Sequence, residues 1–338
     1  MSRPVNTRIV LASRPEGRVK PDNFRLEEAA IPRPQEGELL LKVLFLSLDP
    51  YMRGRMDDAR SYAAPVAVDA VMEGGTVAEV VESRRADFTA GDIVLSHSGW
   101  QSHALSNGDG LRKLDPQAAP LSTALGVLGM PGFTAYAGLL TIGRPKPGET
   151  VVVAAASGPV GSAVGQIAKI KGARAVGIAG GPEKCAFVKN ELGFDAAIDH
   201  RAPDFPEQLR RACPEGIDVY FENVGGAVWD AVFPLLNTFA RVPVCGLIAQ
   251  YDGTSLAEKD RLPRLMRDIL TKSLFIRGFI QREFVDQRPA FAEAMGQWLQ
   301  SGAVKYREDS VEGLANAPDA FIGLLGGRNF GKLVVRVA

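Results

Sequence analysis

Three cysteines in 338 residues, at positions 185, 213 and 245, leave the first 184 residues with none. Their odd number and wide spacing argue against a disulfide framework and point to a reducing, cytoplasmic setting. Histidine is equally scarce, with only His97, His103 and His200. A metal site built from about four nitrogen, sulfur or oxygen ligands has little to draw on here, and no metal is expected. An excess of one charge is also missing. Lys plus Arg and Asp plus Glu both number 39, which argues against nucleic acid or a membrane surface as partner. No apolar run approaches the roughly 18 residues needed to span a bilayer. The opening MSRPVNTRIVLASRPEG lacks the apolar core of a signal peptide. Repeats and low-complexity segments are absent too. The composition, 46% hydrophobic and 23% charged, is that of an ordinary globular protein. The length suggests two domains, each able to bury a core.

What is present is concentrated in residues 151–165, VVVAAASGPVGSAVG. The β-branched run Val151 to Val153 leads through small residues into a glycine-rich turn. Val160, Val164, Ile167 and Ala168 then recur at helical spacing, and Ala175 to Ala179 form a second apolar run. Strand, turn, helix and strand within about 30 residues make the unit that binds dinucleotides. Gly158 and Gly161 would admit a pyrophosphate, Gly165 would let the helix sit close to the strand, and the helix start offers N–H groups to phosphate. The spacing is G-x-x-G-x-x-x-G rather than G-x-G-x-x-G, and a ligand-free turn would fit the bare motif equally well. The end of the second strand selects the cofactor. It reads Ala179-Gly180-Gly181-Pro182-Glu183-Lys184, with no acid at the strand tip where NAD sites hold the ribose hydroxyls. Lys184 would instead pair with a 2′-phosphate, so NADP(H) is read over NAD(H). Glu183 is a nearby acid, and a solvated loop lysine is the plain alternative for Lys184.

Short β-like runs separated by turn residues fill the chain to about residue 127: Thr7 to Ala12, Glu38 to Leu46, Gly75 to Glu82 and Asp92 to Ser96. A helix opens at Gly129 to Tyr136. Strands are then expected at Val151–Ala155, Ala175–Ala179, Ala196–Asp199, Asp218–Glu222, Arg241–Leu247 and Leu274–Ile280. Helices are expected between them, among them Glu183–Leu192, Ala227–Leu236 and Asp260–Thr271. This alternation predicts an α/β fold with a doubly wound parallel sheet. A further helix is expected at Pro289–Ser301, with Phe291, Met295 and Trp298 on one face, and a last strand at Leu333 to Val337. That strand would return to the β-rich domain, giving residues 1–127 and 296–338 to that domain and 128–295 to the nucleotide-binding one. A cleft between the domains is the expected active site.

At this point the chain resembles the medium-chain dehydrogenase/reductase superfamily, from near residue 8 to its end. LSLDPYMRGRM (Leu46 to Met56), VLGMPGFTAY (Val127 to Tyr136), AGGPEKC (Ala179 to Cys185), FENVGG (Phe221 to Gly226), PVCGLI (Pro243 to Ile248) and GGRNFGK (Gly326 to Lys332) carry the likeness. They resemble the zinc-independent branch of prostaglandin reductases, alkenal double-bond reductases and bacterial NADPH-dependent curcumin reductases. The resemblance implies a Rossmann domain beside a β-rich, GroES-like domain, in a homodimer. Zinc-dependent members of the superfamily use a catalytic cysteine and histidine, which the first 184 residues do not supply together. Reduction of an activated C=C bond needs no such Lewis acid.

The expected reaction is NADPH-dependent reduction of α,β-unsaturated ketones or aldehydes, with hydride to the β-carbon and a proton to the α-carbon. A neutral phenol suits the enolate oxygen, and Tyr51, Tyr62 and Tyr251 are the candidates. The ribose hydroxyl of the cofactor could serve instead. For the cofactor, the resemblance implies Gly158, Pro159, Val160 and Gly161 at the turn and Lys184 at the 2′-phosphate. A tyrosine of the relatives is His200 here, a donor whose charge would follow pH. The resemblance also implies Asn223, the segment Cys245, Gly246, Leu247, Ile248 to Tyr251, and Asn329. Phe279 and Ile280 open the loop after the sixth strand, which lacks the tyrosine of many relatives. Cys245 reads as a small strand hydrophobe and Cys185 as a bystander beside Lys184. A quinone reductase is the second reading, and a non-catalytic NADPH-binding protein the third.

Overall fold

The computed structural model describes residues 5–59, 61–251 and 262–338; for residues 262–264 it describes the main chain alone. The expected helix start at Asp260 lies outside the described residues. In chain order the first elements are β1 (Val5–Leu11), β2 (Phe24–Ala30), β3 (Leu39–Ser47), α1 (Met52–Arg55), β4 (Thr76–Ser83), β5 (Ile93–Ser96), β6 (His103–Ser106) and β7 (Arg112–Lys113). A helical segment, α2 (Met130–Ala137), precedes the alternating region. That region runs β8 (Thr150–Ala154), α3 (Pro159–Ile170), β9 (Arg174–Ala179), α4 (Pro182–Asn190), β10 (Ala196–Asp199), α5 (Phe205–Ala212), β11 (Ile217–Phe221), α6 (Gly226–Val232), β12 (Leu236–Val244), α7 (Leu262–Thr271), β13 (Phe275–Gly278) and α8 (Arg288–Gln300). The chain closes with β14 (Glu308–Glu312), α9 (Ala317–Leu325) and β15 (Lys332–Arg336).

Two compact units result: residues 1–125 with 308–338, and residues 126–307. The expected divisions were after residues 127 and 295. The second division falls later because α8 packs inward on its own unit, with Phe291 against Phe133 of α2 at 5.3 Å between ring centroids. Met295 on the same face is fully buried.

In the first unit, a sheet of mostly antiparallel strands runs β14-β15-β3-β4-β5-β7, with β6 also on β3. β14 and β15 pair in parallel. A separate hairpin-like pair, β1 and β2, runs antiparallel. The core of this unit stacks Phe24 on Trp100 at 5.5 Å, with Phe321 of α9 edge-on to Trp100 at 5.6 Å. The C-terminal segment thus completes the first core, as the apolar run Leu333 to Val337 suggested.

In the second unit, six parallel strands lie in the order β10-β9-β8-β11-β12-β13. This is the doubly wound order, reversing direction beside β8. β8 and β11 sit centrally and are apolar through both faces: Val151, Val152, Val153, Val219, Tyr220 and Phe221 are all fully buried. On α3 the helical face is buried from Gly161 through Ala168, while Val160 at its start is only half-buried.

Gly165 has a more specific role than closeness to the strand. A Cβ there would lie 1.8 Å from the ring edge of Phe194, which follows α4. Gly165→Ala is expected to cost about 1–3 kcal/mol through overpacking, read as a lowered midpoint of chemical denaturation. Shrinking the obstacle, in Gly165→Ala with Phe194→Leu, should recover much of that loss relative to Phe194→Leu alone. An unaffected midpoint in the single variant would remove the Phe194 ring as the constraint.

Candidate active site

The carboxyl edge of the parallel sheet gathers most of the expected cofactor residues. Gly158 caps α3 just past β8, and Pro159 and Val160 form its first turn. The turn between them is tight. Ala155 takes a left-handed φ of 53°, and its carbonyl accepts the Gly158 N–H at 3.0 Å. A Cβ on Gly161 would sit 2.4 Å from that carbonyl oxygen. The glycine therefore makes the turn itself possible, before any ligand is considered.

Past β9, Gly180 and Gly181 lead into α4, whose first turn carries Lys184. Past β10, Asp199 Oδ1 accepts the N–H groups of Gly181 and Arg201, both at 2.9 Å. Those bonds outweigh burial and hold the Asp199 carboxyl below its usual range. An acid thus lies near the tip of β9 after all, but it is occupied by main-chain donors. His200 Nε2 lies 2.9 Å from where a Gly180 Cβ would be. Burial first, then Arg201 and Lys184, push the imidazole below its ordinary value against the pull of Asp199. The cationic form of His200 is therefore disfavoured, first by burial and then by its basic neighbours.

Past β11, Asn223 Nδ2 donates to the Ala154 carbonyl at 2.8 Å, tying this loop to the end of β8. Past β12, the Cys245 and Gly246 N–H groups donate to the Glu222 carbonyl at 2.9 and 3.2 Å. Leu247 N–H donates to the Tyr251 hydroxyl at 3.4 Å, and Ile248 N–H donates to the Asn223 carbonyl at 3.3 Å. Tyr251 thus packs across the Cys245–Ile248 turn. Past β13, Phe279 is buried against Phe221 and Phe284, at 6.1 and 6.0 Å between centroids. Its ring fills a core slot that Gly138 leaves open. Ile280 N–H donates to Glu283 Oε1 at 2.7 Å and starts the next turn.

Neither candidate thiol is activated. Burial, then Glu222, pushes Cys245 up to about 12. Burial, then Asp199, pushes Cys185 up to about 11 despite the adjacent lysine.

Tyr51, Tyr62 and Asn329 belong to the first unit. Tyr51 and Tyr62 share the buried Arg55, whose guanidinium lies 5.8 Å from the Tyr51 ring centroid and 4.4 Å from that of Tyr62. Arg55 is held in turn by Glu73 at 2.7 Å and the Ala63 carbonyl at 3.1 Å. Burial, then Asp49, raises the Tyr51 phenol well above its ordinary value, so it stays a neutral O–H donor. Tyr62 is 47% exposed. Asn329 Nδ2 donates to the Gly331 carbonyl at 2.8 Å, at the entry to β15.

Two residues at the sheet edge escaped the sequence reading. Glu222 is fully buried. Its Oε1 accepts from Tyr220 OH at 2.9 Å, Val224 N–H at 2.6 Å and Gly225 N–H at 2.9 Å. Its Oε2 has no partner, and burial raises its carboxyl above the usual range. It borders a cleft of about 270 Å3 shared with Trp229, Leu247 and Gln250. The motif FENVGG held the signal, but only its asparagine was singled out. Arg201 is the other, one residue past His200. Among the described residues, no three His, Cys, Asp or Glu side chains are grouped so as to hold a metal ion. No helix among them is long and apolar enough to cross a membrane.

Residues 7–114 match a family described as the N-terminal domain of oxidoreductase, and residues 159–300 one described as zinc-binding dehydrogenase. The chain is 57% identical over 335 residues to the NADPH-dependent curcumin reductase of Escherichia coli strain K12, covering 98% of this chain and 97% of the relative. It is 43% identical over 327 residues to prostaglandin reductase 1 of Rattus norvegicus, covering 95% and 96%. The crystal structure of CurA in complex with NADPH from Vibrio vulnificus superposes with a TM-score of 0.96 at 57% identity, covering 98% of this chain and 99% of that one. Sequence motifs, sheet order and relatives agree: the chain belongs to the medium-chain dehydrogenase/reductase superfamily, in the branch that contains the curcumin and prostaglandin reductases.

Proposed function

We propose that this protein is an NADPH-dependent reductase of the C=C bond of α,β-unsaturated ketones and aldehydes, with hydride delivered to the β-carbon and no metal ion. The observation that carries the reading is the carboxyl edge of the parallel sheet, where the Gly158–Gly161 turn and the bases beside Gly180–Gly181 lie at the ends of neighbouring strands. The NADPH-dependent curcumin reductase and the NADPH-bound CurA structure support the same cofactor.

The chain's own residues fit NADPH. The start of α3 offers main-chain N–H groups to a pyrophosphate, and Lys184 offers an ammonium to the 2′-phosphate. The carboxylate nearest the strand tip, Asp199, is engaged by main-chain donors. Bound there, NADPH supplies the hydride. The protein must then hold the substrate in line and satisfy the enolate oxygen. Tyr51, Tyr62 and Tyr251 are the proposed donors, and Tyr51 retains its proton at neutral pH because burial disfavours the phenolate. The metal-free reading rests on composition, since no cysteine precedes Cys185 to join His97 or His103. The proposal extends to a cytoplasmic homodimer, which sedimentation would test.

The test follows reduced-nicotinamide absorbance with an enone panel and a quinone, using NADPH and NADH in parallel. NADPH deuterated at C4 reports where the hydride goes. The expected result is the saturated ketone labelled at the β-carbon, a strong preference for NADPH, and unchanged rates after exhaustive chelation. Turnover of the quinone alone would replace enone reduction by quinone reduction. Cofactor binding without turnover of any substrate would leave a non-catalytic protein.

A further inference from the structure

We propose that Arg201 is a second cation for the cofactor's 2′-phosphate, acting with Lys184 to select NADPH over NADH. The proposal rests on the NADPH reading above.

Three basic side chains meet where β9 and β10 end. The Arg201 Nε and Cζ lie 3.1 and 3.2 Å from where a Gly180 Cβ would be, and Nη1 lies 3.9 Å from that of Gly181. The guanidinium therefore rests on the two glycines that lead into the helix carrying Lys184. His200 Nε2 reaches the same glycine from beside it. Burial is the main cause that holds the His200 imidazole below its ordinary value, and Arg201 and Lys184 both add to it. Arg201 and Lys184 are thus both within electrostatic reach of His200. Lys184 and Arg201 bring two positive charges to the neighbourhood of one imidazole, and a dianionic phosphate would neutralise them. Arg201 is exposed and so available to a ligand. Asp199, the nearby acid, is bound to the main-chain N–H groups of Gly181 and Arg201. The three bases also differ in character. Burial disfavours the His200 cation, Lys184 is a point charge, and Arg201 presents a planar fork that matches phosphate oxygens.

The test measures binding of 2′,5′-ADP and 5′-AMP to the full-length protein by calorimetry, with cofactor KM values alongside. Arg201→Ala keeps the main-chain N–H to Asp199 and sits at the surface, so folding is not at stake. It is expected to weaken 2′,5′-ADP by about five- to tenfold, with the exposure of the pair already discounted. Binding of 5′-AMP should be unchanged, and the KM for NADPH should rise while that for NADH stays put. Arg201→Lys should recover part of the loss. If the wild type prefers 2′,5′-ADP and Arg201→Ala keeps that preference in full, the role of Arg201 is overturned and the NADPH reading stands. If the wild type binds both nucleotides equally, the NADPH reading falls and Arg201 falls with it.

Discussion

Replacing Lys184 by alanine is expected to raise the KM for NADPH by about ten- to hundredfold, the worth of one charge-assisted contact to phosphate. The KM for NADH should change little, because NADH carries a neutral 2′-hydroxyl there and no phosphate charge to pair with the ammonium. Selectivity for NADPH should therefore fall by about the same factor, a larger loss than any single side chain elsewhere at the sheet edge should produce. kcat with saturating NADPH should stay within about twofold, since the contact is made equally in ground and transition states. Initial-rate kinetics with both cofactors check this directly. An equal loss with NADPH and NADH would mean that Lys184 supports the fold of the turn rather than the phosphate. Combining Lys184→Ala with Arg201→Ala then asks whether the two cations act on one group. Coupling between the variants is expected if they do, and simple additivity if they do not.

Asp49→Ala is expected to destabilise the first unit by about 3–5 kcal/mol, the usual cost of orphaning a buried charge. Asp49 Oδ1 pairs with Lys332 Nζ at 2.9 Å, and both side chains are almost fully buried, at 7% and 3% exposure. Lys332 Nζ also donates to the Leu48 carbonyl at 2.8 Å, and Ser47 Oγ donates to Asp49 Oδ2. Removing the carboxylate leaves an ammonium inside the sheet with one carbonyl for company. The same pair fastens the segment that leads into Tyr51 and α1, so turnover should fall along with stability. Lys332→Met on the Asp49→Ala background removes the stranded charge and should restore a large part of the loss. Chemical denaturation of the two single variants and the double variant closes the cycle. A midpoint for Asp49→Ala within experimental error of the wild type would show that the pair contributes nothing net.

That ion pair also marks where sequence reasoning ended. DPYMRGRM and GGRNFGK were both conspicuous as motifs, but nothing local joins Asp49 to Lys332. They meet because β15 pairs antiparallel with β3, bringing Val334 opposite Ser47. Glu222 was missed for a related reason. An acid within an apolar strand end reads as an exposed edge until packing buries it among Tyr220, Val224 and Gly225. Arg201 was not singled out, since its approach to Gly180 depends on how β10 lies beside β9. Gly165 was read as room for a strand, whereas the ring it accommodates comes from Phe194. The end of the second unit was placed after residue 295, inside α8, because an amphipathic helix does not announce which core its apolar face will join.

By itself the sequence determined what depends on short range. Period-two and period-3.6 patterns put strands and helices within a few residues of their places. The small residues of 154–161 committed the chain to a tight strand-to-helix turn, and the missing acid after Ala179 set the cofactor expectation. These features are legible because steric limits and hydrophobic periodicity act over a handful of neighbours. The tertiary structure decided how charges and rings distant in sequence become partners: Asp49 with Lys332, Arg201 over Gly180, Phe194 under Gly165, and Glu222 with one oxygen saturated and the other alone. Burial sets the worth of each of those contacts, and burial belongs to the packed chain as a whole.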